Sequence, residues 1–138
     1  NHHFNMYLTN HLISNLITKI NYGTNKRLRF LNIESNKMTL NLLAILYKNG
    51  VIRSYKLLNN NKVSIYFKYY SCNKVLKLSI VSKPGLRELW TLNKLTLNYN
   101  NNNFAGFYIM STQKGILTSN LCLLRGFLGG EILLKVEI

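Results

Sequence analysis

The first half of the chain contains two stretches whose apolar residues recur with the period of an α-helix. The first stretch predicts a helix that Thr9 or Asn10 caps, because either side chain can accept a hydrogen bond from a free backbone N–H group. Lys19 is expected in the last turn of this helix, where a cation interacts favourably with the helix dipole. The apolar stripe consists of Leu12, Leu16, Ile17 and Ile20.

The second helical stretch begins after Ser35, which is expected to cap the helix. Gly50 follows the stretch where a left-handed C-terminal cap belongs, a conformation that glycine adopts without steric cost. The predicted buried face of this helix consists of Met38, Leu42, Ile45 and Leu46.

Strands are predicted between and after these helices. The apolar residues within 28–33 predict one strand with Glu34 at its end, and residues 51–58 predict another. Asn59–Asn61 is predicted to be a hairpin loop, because Asn tolerates positive φ. Apolar and polar residues alternate over residues 63–68, which is typical of a strand buried on one face. A further strand is predicted within residues 75–80.

Ser82-Lys83-Pro84-Gly85 is the strongest interruption of these patterns and contains the only proline. We place the boundary between two subdomains there, which divides the chain into residues 1–81 and 82–138. Beyond it we predict a polar turn at Ser111–Gly115, a short helix at Ser119–Arg125 and a tight turn at Gly129-Gly130. The predicted strands cover residues 89–97, 104–110, 116–117 and 132–136. Helices in the first half and strands in the second indicate an α+β fold.

Charge restricts the classes of function. The 138 residues include 18 Lys and Arg against 4 Asp and Glu, a formal net charge of +14. Self-repulsion on this scale destabilises a compact chain unless a polyanion neutralises it, and the polyanions to consider are nucleic acid and anionic lipid. Hydrophobic residues make up 47% of the chain, which is enough for an ordinary core.

The acidic residues argue against catalysis. The chain has no Asp, and its glutamates are Glu34, Glu88, Glu131 and Glu137. The last two lie closest in sequence, but in a strand they are about 20 Å apart, which is too far for a general acid and base acting on one bond. We therefore expect no catalytic residue and no small-molecule substrate.

Metal, cofactor and membrane functions have little support. Cys72 and Cys122 are single and lack C-x-x-C spacing; a disulfide stays open, but two buried thiols are favoured. The histidines His2, His3 and His11 could hold a metal, but a mobile terminus or a tag remnant explains them better. We expect no metal and no cofactor. No apolar stretch approaches the roughly 18 residues of a membrane span.

Three segments could contact nucleic acid. The polar groups of Ser111–Gly115 can reach phosphate, sugar or base edges, although composition alone favours an ordinary hairpin turn. Lys83–Arg87 presents two cations around a rigid turn, where phosphate contact and simple solvation are equally compatible with the sequence. A basic cluster consists of Lys26, Arg27 and Arg29, with Lys19 and Lys37 nearby. Because Glu34 is the single acidic residue near it in the sequence, the cluster favours contact with phosphate.

Aromatic side chains are candidates for base stacking, although core packing is favoured for most of them. The candidates are Tyr66, Tyr69, Tyr70 and Trp90.

Several motifs together resemble one known family. "VSKPGLR" (Val81–Arg87), "STQKGILT" (Ser111–Thr118) and "GGEILLKV" (Gly129–Val136) look like the signature of the bacterial-type small-subunit ribosomal protein S-eight family. "NLITKI" resembles the opening helix of that family, and "SNKMTLNLLAILYKNGVI" (Ser35–Ile52) resembles its second helix, glycine cap and next strand. The resemblance extends from about Asn10 onward.

The resemblance implies an N-terminal α/β subdomain and a C-terminal, mainly antiparallel β subdomain. It implies a primary binder of the central domain of small-subunit rRNA, with neighbouring small-subunit ribosomal proteins as further partners. The C-terminal half of the family grips an irregular internal loop of one RNA helix, and the N-terminal half touches a second helix.

The resemblance also assigns RNA-binding positions. Ser111 and Thr112 match the RNA-contacting hydroxyls of the family, and Lys114 and Gly115 lie in the same turn. The remaining matches are Lys83, Gly85 and Arg87 in the proline-glycine loop, and Gly129, Gly130 and Glu131 in the terminal turn and strand. The chain departs from the family at Gln113, where a third hydroxyl is common, and at Leu89, where Tyr is usual. The segment 121–124 is more apolar than in the family, and we expect an added protein contact there.

The sequence gives less support to two rival functions. A membrane-surface protein needs a basic amphipathic helix, but the first predicted helix carries only Lys19. An organellar nuclease needs clustered carboxylates for metal ions. The excess of residues with AT-rich codons suggests an organelle or a reduced bacterium. We expect a mitochondrial small ribosomal subunit, with a plastid or apicoplast as the alternative and a bacterial cytoplasm favoured less.

Overall fold

The computed structural model describes residues 2–69, 77–80, 89–91, 106–125 and 129–137. The chain separates into two compact units, unit 1 within residues 1–77 and unit 2 within residues 78–137. Both units combine helix with antiparallel sheet, which confirms the predicted α+β class. The boundary predicted after Val81 lies outside the described residues.

Unit 1 contains two helices and a three-stranded antiparallel sheet. Its elements are α1 (His2–Asn25), β1 (Phe30–Glu34), α2 (Lys37–Lys48), β2 (Ser54–Leu58) and β3 (Lys62–Tyr66). The strand order is β1-β3-β2, with α1 against α2 and β1, and with α2 against β2. The helices cover the sheet face that carries Ile33, Val63 and Ile65, which are all buried.

Helix α1 is longer than its apolar stripe predicts. It begins at His2, so Thr9 and Asn10 lie inside it and the predicted cap is wrong. It ends at Asn25, so Lys19 is not in the last turn. The physical reason is that neither glycine nor proline interrupts the segment before Gly23. Of the predicted stripe, Leu16, Ile17 and Ile20 are buried and Leu12 is half-buried, while the buried Ile13 was missed.

Helix α2 has a different N-terminal cap from the one predicted. Asn36, with extended backbone, accepts a 2.9 Å hydrogen bond from the Thr39 N–H, whereas the Ser35 N–H donates to the Asn61 carbonyl. The buried face also shifts, since Met38 and Ile45 are only half-buried. The buried residues are Thr39, Leu42, Leu43 and Leu46.

The C-terminal end of α2 confirms the predicted glycine cap. Gly50 has a φ of +74° and its N–H donates to the Tyr47 carbonyl, while the Val51 N–H donates to the Leu46 carbonyl. These two bonds form a Schellman motif, which ends the helix and satisfies its last carbonyls. Because the chain turns here, β2 begins at Ser54 rather than at Val51.

The β2–β3 hairpin has the predicted loop. Asn60 and Asn61 adopt φ values of +61° and +55°, which confirms the conformation expected for Asn59–Asn61. The expected one-sided burial of β3 is wrong, because Ser64 is also buried. β3 is the central strand, and the Ser64 hydroxyl donates to the Asn32 side chain across the β1 pair, so neighbouring strands cover this small residue.

Unit 2 is built mainly of strands. Its elements are β4 (Lys77–Ile80), β5 (Leu89–Thr91), β6 (Gly106–Thr112), β7 (Gly115–Thr118), α3 (Ser119–Arg125) and β8 (Gly129–Glu137). The order is β4-β8-β6-β7, and β5 also pairs with β8. Helix α3 confirms the predicted short helix, and its buried Cys122 packs with Tyr108, Met110 and Ile132. Cys72 lies outside the described residues.

The Gly129-Gly130 turn was predicted wrongly. Both glycines lie inside β8, where Gly129 pairs with Thr91 and Gly130 with Trp90. A glycine pair usually marks a turn, but here the missing side chain permits two backbones to approach closely.

Candidate nucleic-acid interface

The β6–β7 hairpin carries the predicted polar turn. Thr112 pairs with Gly115, so Gln113 and Lys114 form the exposed turn between the strands. The Thr112 hydroxyl donates to the Gly115 carbonyl at 2.8 Å and accepts from the Lys114 N–H at 3.1 Å. The Thr112 hydroxyl therefore stabilises the turn through two hydrogen bonds within it, a role that the sequence did not indicate.

Gly115 supplies the backbone conformation that this turn needs. Its φ is +106°, which L-residues rarely adopt. A Cβ at this position would meet no atom within 4 Å, so space is not the constraint. The turn consequently offers an open backbone surface, with the exposed Lys114 ammonium beside it.

Ser111 lies in the centre of the sheet end, between two neighbouring strands. It pairs with Ile116 of β7 and with Glu131 of β8. Its side chain is half-buried, and among the described residues no hydrogen bond involves its hydroxyl. Ser111 is therefore the hydroxyl at this edge that remains available to an external donor or acceptor.

The close approach of β8 to β6 brings two sequence motifs together. A Cβ on Gly130 would lie 2.3 Å from the Ser111 carbonyl oxygen and 3.2 Å from the Thr112 methyl group. The neighbouring Glu131 pairs with both Ser111 and Leu89. The structure thus places Gly130 and Glu131 against the Ser111–Gly115 hairpin, while Gly129 pairs with Thr91 of β5. Lys83, Gly85 and Arg87 lie outside the described residues.

The predicted basic cluster separates into two groups. Lys26, Arg27 and Arg29 are exposed in the connection between α1 and β1. Lys37 is exposed as the first residue of α2, beyond the other end of β1, and the length of that strand is about 13 Å. Lys19 lines a small groove with Glu34 and Asn36, at the Lys37 end of the strand. Any phosphates that they contact are therefore separated along the surface.

Arg27 terminates α1 in a conformation that usually requires glycine. Its N–H donates to the Thr24 carbonyl and the Leu28 N–H donates to the Gly23 carbonyl, which is a second Schellman motif. Arg27 adopts a φ of +53° in this motif. Its guanidinium lies 5.1 Å from the centre of the Tyr69 ring, a cation–π contact.

Tyr69 is fixed beneath this arginine. Its hydroxyl donates to the Leu28 carbonyl and lies 3.3 Å from the Gly23 carbonyl. Burial raises the pKa of the Tyr69 hydroxyl above its ordinary value, and the nearby Arg27 charge opposes part of that rise. The residue therefore connects the end of α1 to the segment after β3 and remains a neutral donor at physiological pH.

A pair of substitutions separates the two effects at Arg27. We expect Arg27→Gly to be more stable than Arg27→Ala by about 1 kcal/mol, because both lose the Tyr69 contact but only alanine retains the unfavourable φ. Urea unfolding followed by circular dichroism measures the difference. Equal free energies of unfolding would show that the positive φ of Arg27 is not a source of strain.

The structure describes two of the other three candidates for base stacking. Tyr66 is half-buried and its ring centre lies 5.7 Å from that of Phe30, its cross-strand partner. Trp90 lies in β5, and Tyr70 is outside the described residues.

Sequence reasoning missed a second concave site in unit 1. A groove of about 550 Å³ is lined on its polar side by Tyr47, Arg53, Lys68 and Tyr69. The available signal was the hairpin register, because the Asn59–Asn61 loop fixes which residue of β2 faces which residue of β3. Extending that register brings Arg53 beside the residues that follow β3, and its N–H donates to the Tyr66 carbonyl.

Comparison with known proteins identifies the family. The model of the family described as ribosomal protein S8 matches residues 11–136. The small ribosomal subunit protein uS8m of Acanthamoeba castellanii is 35% identical over 131 residues, which cover 91% of this chain and 98% of that protein. The small ribosomal subunit protein uS8 of Mesoplasma florum is 33% identical, with 91% and 97% covered, and that of Buchnera aphidicola is 32% identical, with 91% and 95% covered.

The chain belongs to the ribosomal protein S8 family.

Members of the S8 family are structural ribosomal proteins, so this chain is a structural ribosomal protein and not an enzyme. Within the described ranges, no group of three or more His, Cys, Asp or Glu side chains lies close enough to hold a metal ion. No helix in the described part of the chain is both long enough and apolar enough to cross a membrane.

Proposed function

We propose that this S8 protein is a primary rRNA-binding protein of the small ribosomal subunit and stabilises the central domain of small-subunit rRNA during assembly. One observation carries the proposal: the sheet register places the half-buried Ser111 hydroxyl, the open Gln113–Gly115 turn and Glu131 at one edge of unit 2. Such an edge combines donors, acceptors and accessible backbone, which suits the irregular surface of a non-helical RNA loop.

Specificity comes from the hairpin in this proposal. Ser111 bonds directly to RNA, while Thr112 holds the turn so that Gln113 and Lys114 point away from the sheet into solvent. Gln113 can donate and accept, and Lys114 contacts a phosphate. Gly130 acts by permitting the close approach of β8 to β6, Gly129 continues β8 beside it, and Glu131 accepts hydrogen bonds from RNA at the same edge.

Affinity comes from the surplus of cations. Lys26, Arg27, Arg29 and Lys37 contact phosphates of a second RNA segment, and the release of counterions from those phosphates favours binding. Their division into two groups implies contacts at two separate places on that segment. We propose phosphate contacts for Lys83 and Arg87 as well, with Gly85 permitting the backbone of the loop to approach the RNA.

The proposed location is the small subunit of a mitochondrial ribosome. It is supported by the similarity to the uS8m protein of Acanthamoeba castellanii and by the excess of residue types whose codons are AT-rich. Similarity to bacterial uS8 proteins keeps a plastid, an apicoplast or a bacterial cytoplasm as alternatives.

Neighbouring small-subunit proteins are the proposed protein partners. Helix α3 presents one apolar side chain to solvent, since Leu124 is 83% exposed while Cys122 on the same helix is buried. An exposed leucine of this kind is compatible with the added protein contact expected for residues 121–124.

Replacing Ser111 by alanine tests the proposed function. We expect about fivefold weaker binding to a transcript of the small-subunit rRNA central domain, because one hydrogen bond of about 1 kcal/mol is lost. The dependence of affinity on salt should stay the same, because no charge changes. Filter binding over a range of salt concentrations measures both quantities.

Ser14→Ala is the matched control, since Ser14 is exposed on α1 in unit 1. It should bind the transcript with the affinity of the unaltered protein. Equal binding by the Ser111→Ala variant would refute the role proposed for the hairpin.

A further inference from the structure

The groove in unit 1 has the form of a ligand site. It lies between the C-terminal end of α2 and the segments that flank β2 and β3. Ile52 and Phe67 line it and are 2% and 4% exposed, so its floor is apolar and fixed by the core. Its volume of about 550 Å³ lies within the usual range for small-molecule and nucleotide sites.

The charges around the groove favour an anion. Arg53 and Lys68 are both exposed at its rim, and none of its lining residues is acidic. Glu34 is the only acid in the sequence before Glu88, and it pairs with Lys62 at the far end of the β1–β3 ladder, about 13 Å away. No acidic side chain is among the described residues that line the groove, so its rim carries a positive potential.

Two observations locate the cations relative to the aromatic groups. The Lys68 ammonium lies 4.0 Å from the place that a Cβ on Gly50 would occupy, beside the C-terminal end of α2. The Arg53 N–H donates to the Tyr66 carbonyl, which fixes its backbone next to the groove floor. The sheet thus fixes the backbone from which the Arg53 side chain extends, and the Lys68 ammonium lies near the glycine that ends α2.

The tyrosines provide a surface for a planar ligand. Tyr47 is 53% exposed and is held edge-on against Tyr55 at 6.1 Å with an interplanar angle of 79°. Tyr69 is fixed by its hydroxyl and by the Arg27 contact. An exposed, oriented ring beside two cations is the combination that binds unstacked nucleotides, the base against the ring and the phosphate against the cations.

We propose that this groove binds an unpaired nucleotide of single-stranded RNA, with its base against Tyr47 and its phosphate between Arg53 and Lys68. The proposal rests on the proposed RNA-binding function and adds a second site, in unit 1, to the hairpin site in unit 2. It predicts that single-stranded RNA binds the protein without the structured loop that the hairpin recognises.

The test uses the full chain and a short fluorescein-labelled oligouridylate at low salt, followed by fluorescence anisotropy. Tyr47→Leu retains apolar bulk but loses the aromatic face, and Lys68→Gln loses the charge. We expect each variant to bind the oligouridylate roughly fivefold to tenfold more weakly. Tyr47→Leu loses one base-stacking contact and Lys68→Gln loses one phosphate contact. Photocrosslinking of a 4-thiouridine oligonucleotide should label Tyr47 or Tyr69.

Matched controls lie outside the groove in the same unit. Tyr22→Leu replaces another exposed tyrosine, on α1, and Lys62→Gln replaces an exposed lysine at the far end of β3. Both should bind within twofold of the unaltered protein. Unchanged oligouridylate binding by the groove variants, or an equal loss in the controls, would overturn the proposal.

The hairpin test is independent of this one. Loss of oligouridylate binding in the groove variants, with no effect of Ser111→Ala on the structured transcript, would support the groove and contradict the hairpin assignment. The reverse pattern would overturn the groove proposal and leave the proposed function intact.

Discussion

Replacing Gly130 by alanine is expected to destabilise the protein by about 3 kcal/mol, a large effect for one methyl group. The added Cβ would lie 2.3 Å from the Ser111 carbonyl oxygen, so β6 and β8 must separate where the two motifs meet. Because the contact is with backbone, no side-chain rotation relieves it. Urea unfolding followed by the fluorescence of Trp90, the only tryptophan, monitors the strand that pairs with Gly130.

Gly115→Ala is the appropriate comparison for this variant. Its Cβ would meet no atom within 4 Å, so it should cost only the backbone strain of a φ of +106°, about 1 kcal/mol. The Gly130→Ala variant should also bind the rRNA transcript at least tenfold more weakly, because Ser111 is displaced. A free energy of unfolding within 0.5 kcal/mol of the unaltered protein, on the order of a neutral surface change, would contradict the close approach.

Raising monovalent salt from about 50 to about 200 mM is expected to weaken rRNA binding roughly a thousandfold. The net charge of +14 provides more than enough cations for six phosphate contacts, the number that corresponds to such a loss. Each contact releases condensed counterions, so the logarithm of affinity falls linearly with the logarithm of salt concentration. Filter binding at several salt concentrations gives the slope.

Charge removal in unit 1 refines this measurement. Arg29→Gln should reduce the slope by about one and weaken binding to all RNA sequences alike. Ser111→Ala should give a line parallel to that of the unaltered protein. An affinity that hardly changes with salt would mean that the surplus cations do not contact phosphate, and the electrostatic part of the proposed mechanism would fail.

The sequence predicted best those features that depend on local chemistry. Gly50 and the Asn59–Asn61 loop were predicted correctly, because a positive φ is tolerated by few residue types and is therefore visible in the sequence. The short helix Ser119–Arg125 was also predicted, and the structure has it with the same bounds.

The errors arise where tertiary context decides. The start of α1 was misplaced because Thr and Asn are good caps but are also tolerated inside a helix, so Thr9 and Asn10 did not mark its first residue. Gly129-Gly130 was assigned to a turn because the sequence cannot show that another strand approaches within contact distance. The exposure pattern of β3 depended on its central place in the sheet.

The candidate site could be predicted as a set of segments but not as an arrangement. Ser111 and Glu131 are twenty positions apart, and only the β6–β8 register makes them neighbours. The basic cluster looked continuous because Arg29 and Lys37 are close in sequence, yet an extended strand separates them. The sequence did not predict the groove of Tyr47, Arg53 and Lys68, because these residues are distant in sequence and line one groove only when the β2–β3 hairpin has formed.

The two hydrogen bonds of the Thr112 hydroxyl bear on the entropy of recognition. They order the turn while the protein folds, before any RNA is present, so little conformational freedom remains to be lost at this surface on association. The nucleic acid must then supply most of the adjustment, and a rigid protein template of this kind selects the RNA conformers that already match it.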